Sequence, residues 1–358
     1  MEISRLIEVS DNFCKEIKAG MDKKPTSLPF IVHKLAAKAL VEDKELFQVL
    51  KIGGSILQNA LVFQEKDKII IQSLEEEHLP LFTTGKAFLA LVKAHLRKNI
   101  KVLAINFAYP MAPVFTKGRL DGRLISGSKE HTFIGLVGKQ VGAEVEEFIK
   151  KKLKRRIKVS VANDTICLAL SGLTRFSDEE ICGGVVGTGI NFAFFLGKHR
   201  LVNLESAQFD KFTPKPETKE IDRFSVEPGT AIFEKETVGG YLFKHYNLIV
   251  KRTGKKVKPV VSTHALDKVA RGEMNGEMKL AQKLLREAAQ MVACQIAGIV
   301  KFKKRDMTFI MEGSLFWVGF KFKETVEKTV RQLVSNYQVS FKEIRDCGIV
   351  GAAKLVLV

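Results

Sequence analysis

Asp164 is the residue around which the chemistry of this chain can be assembled. It closes the β-branched run Ile157 to Val161, in the segment VANDT, and is followed by an apolar, helix-sized stretch and an acidic turn. Beyond the turn, a second apolar run is broken by Gly187-Thr188-Gly189 before Asn191 leads into Phe192 to Leu196. A carboxylate at a strand tip can accept a proton from a hydroxyl, and bare backbone N–H groups in a glycine-rich turn can approach phosphate oxygens. Together they suit phosphoryl transfer. Taken alone, Asp164 reads more simply as a helix cap for Thr165 onward.

The elements that must position these residues follow from periodicity. Leu6, Val9, Phe13 and Ile17 lie at helical spacing, and residues 1 to 44 read as helical and amphipathic, the helix ended by Gly20 and a Pro-containing connection, Lys24 to Pro29, leading to the first strand region. Strand-like runs follow at Leu46 to Lys51, Ile56 to Phe63 and Lys68 to Ser73, with Gly53-Gly54-Ser55 turning the first into the second. Then come a helix (Ala87 to Leu96), a strand (Val102 to Phe107), a helix (Gly138 to Leu153) and the strand Ile157 to Val161. The second half opens with Ile181 to Val186 and Ile190 to Leu196 around Gly187-Thr188-Gly189. Its helical patterns run from Thr230 to Val250, Glu277 to Lys301 and Glu324 to Val334, with strands at Met307 to Met311 and Val339 to Ile344. Each half therefore contains a strand, a glycine hairpin and a strand, LKIGGSILQNALVF and GGVVGTGINFAFFL. One such hairpin is explained by the positive φ that glycine supplies to tight turns. Two, with Asp164 between them, predict an internal duplication and a nucleotide cleft between two related lobes.

Composition narrows the alternatives. With 46% hydrophobic and 27% charged residues the 358-residue chain is an ordinary globular sequence, long enough for two domains. No apolar run approaches the ~20 residues of a membrane span. MEISRLIEVSDNF lacks the features of a signal peptide, so a cytoplasmic protein is expected. Five scattered cysteines (Cys14, Cys167, Cys182, Cys294, Cys347) and seven histidines give neither disulfide nor metal-ligand spacing. The net charge of +18 would suit a polyanion, yet no nucleic-acid-binding motif accompanies it. Much of it is local, in KKKLKRRIK (150–158) and KRTGKKVK (251–258). The charge reads as solubility plus attraction for an anionic substrate such as a nucleotide; no nucleic acid and no membrane are expected as partners.

The two hairpins, the ANDT segment, and Asp346-Cys347-Gly348 with Gly351-Ala352-Ala353 resemble the actin-like ATPase superfamily, and specifically hexokinase. FCKEIKAGM with LPFI is similar to the family's opening helix, LKIGGS to its first phosphate loop and INFAYPM to its FSFP strand. LISGSKEHT resembles its threonine-lysine sugar loop, VNLESAQFD its NTEWGAFGD segment, PGTAIFEKETVGGYL its PGQ-x-FEK helix start, and MEGSLFW its DGS-x-Y segment. The resemblance implies an α/β, two-lobed actin-like ATPase (ribonuclease H-like) fold of duplicated βββαβα units with a cleft between them. The small lobe would be 45–162 with 347–358, and the large lobe 1–44 with 163–346. It further implies transfer of the γ-phosphoryl group of ATP, with Mg2+, to the 6-hydroxyl of glucose or a similar hexose. A kinase for another hexose, or a degenerate sugar-binding sensor, are the alternatives.

Carried over residue by residue, the resemblance makes Asp164 the general base, with Lys129 near the accepting oxygen. Ser128, Lys129, Asn163, Asp164, Asn191, Glu205 and Glu234 would hold the sugar. Gly53, Gly54, Ser55, Gly187, Thr188, Gly189, Gly313, Ser314 and Gly348 would face the nucleotide, and Asp164 would address a metal indirectly. Individually these residues have plainer readings: Glu205 and Glu234 as surface or helix-start acids, Lys129 as one lysine among many. Several positions depart from the family pattern. Lys51 and Gln58 stand where it has an Asp and an Arg, Ile56 where it has Asn, Ala108 where it has serine, and Ser206-Ala207-Gln208 where it has WGA. An ammonium cannot act as a metal acceptor as a carboxylate does, though it can meet a phosphate as a point charge.

Overall fold

A computed structural model describes residues 1–127 and 130–357. The chain opens with α1 (Ile3–Met21), β1 (Ile31–Lys34), β2 (Phe47–Ile52), β3 (Ile56–Glu65), β4 (Lys68–His78), α2 (Gly85–His95) and β5 (Val102–Phe107). It continues through β6 (Met111–Thr116), β7 (Arg119–Leu124), α3 (Val141–Leu153), β8 (Lys158–Ala162), α4 (Asp164–Gly172), β9 (Ile181–Val186), β10 (Ile190–Phe195) and β11 (Arg200–Asn203). The remainder is mainly helical: α5 (Pro216–Arg223), α6 (Ile232–Thr237), α7 (Leu242–Arg252), α8 (Thr263–Arg271) and α9 (Met278–Lys303). Last come β12 (Met307–Glu312), α10 (Ser314–Val318), α11 (Phe322–Leu333), β13 (Val339–Lys342) and α12 (Cys347–Lys354).

The chain packs as two units, residues 1–30, 184–192 and 204–342, and residues 31–183, 193–203 and 343–358. In the second unit a five-stranded sheet has the order β4-β3-β2-β5-β8. β2, β5 and β8 run parallel, and β5 is buried at every position. That burial explains the apolar run VLAI (102–105), because a parallel strand covered on both faces has little polar side to alternate with. Leu50, Ile52, Leu103, Ile105 and Phe107 share a core with Phe88 and Val92 of α2 and Val141, Val145 and Ile149 of α3. The opposite face carries Asn106 toward α12, where its Nδ2 donates to the Gly348 carbonyl at 3.2 Å. α12 in turn lies against α4, so closely that a Cβ on Gly351 would fall 1.7 Å from the Cys167 carbonyl oxygen.

In the first unit the 26-residue helix α9 is the spine, buried from Ala288 through Val300 apart from Gln290. α1 crosses it at Gly298, where an added Cβ would come within 2.8 Å of the Phe13 ring. β12 and β13 pair in parallel from Met307↔Val339 to Ile310↔Lys342. Among the described residues no helix is long and apolar enough to cross a membrane.

Several expectations are corrected. α1 stops at Met21, beside the expected end at Gly20, but the segment before residue 44 also holds a strand, Ile31–Lys34, paired antiparallel with β11. The helix expected from Thr230 to Val250 is two helices, α6 and α7. Gly239 and Gly240 interrupt it because their N–H groups are committed to the Gly187 and Thr188 carbonyls, at 2.8 and 3.2 Å. The hairpin β6–β7, turned at Lys117 (φ 49) and Gly118 (φ 75), escaped the periodicity because Pro110 and Pro113 demote its first strand. The packing units also divide differently from lobes cut at 44, 162 and 346. Residues 163–183 pack with the second unit, since α4 is held backbone-to-backbone against α12.

Candidate active site

The first unit brings three of the expected sugar ligands together. Asn191, in β10, accepts with its Oδ1 from the backbone N–H of Phe192 (2.8 Å) and of Ser206 (3.2 Å). Ser206 begins a single 3-10 turn, Ser206–Gln208, entered through Glu205 in the left-handed region at φ 49. Glu234 sits in the first turn of α6, and its Oε2 accepts from the N–H of Ile190, immediately after the glycine turn, at 3.3 Å. Burial pushes the Glu234 carboxyl above the ordinary glutamate range; the Ile190 N–H opposes that and the charge of Glu205 adds to it. Two carboxylates close enough to repel are costly in isolation, and a ligand with several hydroxyl donors relieves that cost. Burial likewise raises the phenol of Tyr241, with smaller contributions from Glu234 and Glu227.

α6 is braced from behind. The Lys235 ammonium, 3% exposed, donates to Asp222 (2.6 Å), Ser225 Oγ (2.9 Å) and the Glu227 carbonyl (2.8 Å). The Glu236 carboxylate, on the same helix, accepts from Lys215 Nζ at 3.2 Å and from the Thr218 hydroxyl. Each buried charge has its partner, as a low-dielectric interior demands.

The same unit contains the second glycine hairpin. Gly187 N–H bonds the Gly189 carbonyl at 3.0 Å, closing the Gly187-Thr188-Gly189 turn. Beside it lies a cavity of about 260 Å³ lined by Gly187, Thr188, Gly239, Ser262, Thr263 and Ser314, among others. Gly313 lies under the turn at φ 121, where a Cβ would sit 2.2 Å from the Val186 carbonyl oxygen, so only glycine fits. Sequence reasoning had Gly187, Thr188 and Ser314 but missed the opposite wall. The Gly239-Gly240 pair and the serine cap Ser262, which accepts from Ala265 N–H at 3.2 Å, were its available signals.

The second unit holds the other residues. Asn163 caps α4 through Ile166 N–H (2.9 Å), and Asp164 Oδ1 accepts from Thr165 N–H (2.7 Å). Asp164 thus stands half-buried at the end of β8, as a strand-tip carboxylate and a helix-start acid at once. In the first hairpin, Gly53 N–H bonds the Ile56 carbonyl at 3.0 Å. Its outer surface is braced: Tyr109 donates to the Gly53 carbonyl at 2.8 Å, and His131 Nε2 meets the Gly54 carbonyl at 3.2 Å. Because His131 Nδ1 accepts from Phe82 N–H, the ring proton belongs on Nε2. Lys51 and Gln58 face each other across β2 and β3, and Gln58 donates to Glu76. The Lys51 side chain presses on Gly348, where a Cβ would lie 2.6 Å from its Cδ. Ser128 and Lys129 lie outside the described residues.

The residues of the first hairpin do not fit a metal. Lys51 has no acceptor to offer, and among the described residues no group of three His, Cys, Asp or Glu could hold an ion.

Residues 253–358 match the family model described as Hexokinase. "Hexokinase-9" of Oryza sativa subsp. japonica is 26% identical over 278 residues, 67% of this chain and 54% of that protein. The chain spans about half the length of several such curated relatives. Among solved structures, a "Crystal structure of Hexokinase" superposes with a TM-score of 0.81 at 16% identity, covering 99% of this chain and 96% of the other. A hexokinase from Schistosoma mansoni complexed with glucose gives 0.74 at 18% identity, covering 99% and 95%. The similarity to hexokinases therefore lies in the C-terminal segment that matches the family model, in curated relatives of about a quarter identity matched over part of their length, and in an α/β fold shared with solved hexokinase structures.

Proposed function

We propose that this chain is a sugar kinase that transfers the γ-phosphoryl group of ATP to the 6-hydroxyl of glucose or a similar hexose. One observation in the first unit carries the reading: the carboxylate set and the phosphate-sized turn share a frame. Glu234 accepts from Ile190, the residue after the turn, while Gly239 and Gly240, at the end of the helix bearing Glu234, donate to Gly187 and Thr188. Groups suited to sugar hydroxyls are thereby held a fixed distance from N–H groups suited to phosphate. The neighbouring cavity is of a size for a purine ring or ribose.

In the proposed reaction Asn163, Asn191, Glu205 and Glu234 hold the hexose, with Ser128 and Lys129 as further sugar contacts. The 6-hydroxyl oxygen attacks the γ-phosphorus, the bond from phosphorus to the β–γ bridging oxygen breaks, and ADP leaves. Asp164 accepts the hydroxyl proton. Gly53, Gly54, Ser55, Gly187, Thr188, Gly189, Gly313, Ser314 and Gly348 are the residues proposed to serve the nucleotide. The relative solved with glucose supports the sugar class.

The test is formation of hexose 6-phosphate from ATP and magnesium with glucose, mannose, fructose and glucosamine, coupled to ADP release. Product from at least one sugar, abolished in Asp164→Ala, is expected. No product from any of them, by protein that is folded, overturns the reading.

A further inference from the structure

Glu205 and Glu234 belong to two short, separate pieces of backbone, and their relative orientation has to be fixed by something other than the sheet. The 3-10 turn after Glu205 is closed by its own bond, Gln208 N–H to the Glu205 carbonyl at 3.0 Å. α6, with Glu234, starts from Ala231 at φ 48, a left-handed conformation that costs a non-glycine residue energy. Two contacts join these pieces. Phe209, directly after the turn, meets Phe233, directly before Glu234, with ring centroids 5.7 Å apart at 59°. Gln208 Oε1 accepts from the Ala231 N–H at 2.9 Å. The turn is also pinned to α9, because the buried Gln295 donates to the Ser206 carbonyl at 2.9 Å.

The two contacts do different things. Ring packing is non-directional and sets the distance between the pieces. A hydrogen bond is directional, and this one falls on the residue whose strained φ aims the first turn of α6. Gln208 stands where the hexokinase pattern leads one to expect alanine, so the link is a property of this chain.

We propose that Gln208 is a positioning residue that holds Ala231 in its left-handed conformation and thereby sets the Glu234 carboxylate relative to Glu205 for the hexose. The inference rests on the sugar-kinase reading. Without the Gln208 acceptor, Ala231 is free to relax toward negative φ, and α6 turns the Glu234 side chain away. Hexose affinity suffers, while the chemical step on a bound sugar and the nucleotide cavity do not.

The experiment compares Gln208→Met, Ala231→Gly and the double variant in the full chain, by glucose titration and by steady-state kinetics. Methionine keeps the length of the side chain and removes the acceptor. Gln208→Met is expected to raise the glucose KM and Kd about five- to tenfold, the equivalent of one neutral hydrogen bond, with kcat within about twofold of wild type. Glycine takes positive φ without strain, so the double variant should recover most of that loss. Asn247→Ala serves as a control, since Asn247 bonds both the N–H and the carbonyl of Val260, away from the carboxylates. It should lower Tm and leave glucose affinity unchanged. If Gln208→Met binds glucose as wild type does while Glu234→Gln does not, this inference is overturned and the sugar site stands. An affinity loss in Gln208→Met that Ala231→Gly does not relieve also overturns it. A wild-type protein that binds no hexose overturns the functional reading and this inference with it.

Discussion

Replacing Glu234 by Gln separates what this residue does for the ligand from what it costs the fold. The carboxylate is half-buried, beside Glu205, accepts from the Ile190 N–H, and its partial burial raises its pKa above the ordinary glutamate value. The folded state therefore holds the proton more tightly than the unfolded chain does. Stability falls as pH rises through the window between the ordinary value and the raised one, and stays lower above it. Glutamine keeps an acceptor for Ile190 and carries no charge. The sugar-free variant should thus be more stable than wild type at neutral pH. The gain should appear as a higher Tm. The advantage should vanish below the ordinary glutamate range, where wild type is protonated as well. Hexose binding should move the other way: a charge-assisted hydrogen bond is worth about 1.5–3 kcal/mol, hence a rise in Kd of roughly 10- to 150-fold. Thermal melts between about pH 4 and 8, with calorimetric glucose titrations, read both quantities. A variant less stable than wild type at pH 7, or one with unchanged glucose affinity, would refute the reasoning.

Three further outcomes are expected. Asp164→Ala should lower phosphoryl transfer by roughly 10²–10⁴-fold with hexose affinity largely retained, as read by single-turnover kinetics beside calorimetry; near wild-type turnover would remove Asp164 from the mechanism. Gly313→Ala places a Cβ 2.2 Å from the Val186 carbonyl at a φ of 121, so the turn must shift. ATP affinity should drop at least about tenfold, from a strain of more than about 1.4 kcal/mol, while glucose titrates as in wild type; unchanged ATP binding contradicts the assignment of the cavity. Gly351→Ala drives a methyl into the Cys167 carbonyl and should destabilise the second unit by about 3 kcal/mol or more, seen as an earlier transition in denaturant.

Asp164, Asn191, Glu205 and the glycine turns could be singled out as candidates in the sequence because each lies in a short segment whose chemistry is local. A strand tip, a tight turn or a cap is specified by a few neighbouring residues, and the ordered resemblance to hexokinase strengthened every one of them. Strands β2, β5 and β8 were legible for the same reason, from short runs rich in apolar residues. What the sequence could not supply was the company these residues keep. Nothing local says that Gly239 and Gly240 break a long helical pattern in order to donate to Gly187 and Thr188, or that Ser262 and Thr263 wall the same cavity. The span 163–183 reads as the start of the second half, yet it packs with the first because Gly351 lets α12 close on the backbone of α4. Nor does any spacing connect Gln208 to Ala231, 23 residues apart. These are decisions of the tertiary structure, made where backbones approach too closely for a side chain or where a buried donor needs an acceptor that only a distant residue can bring.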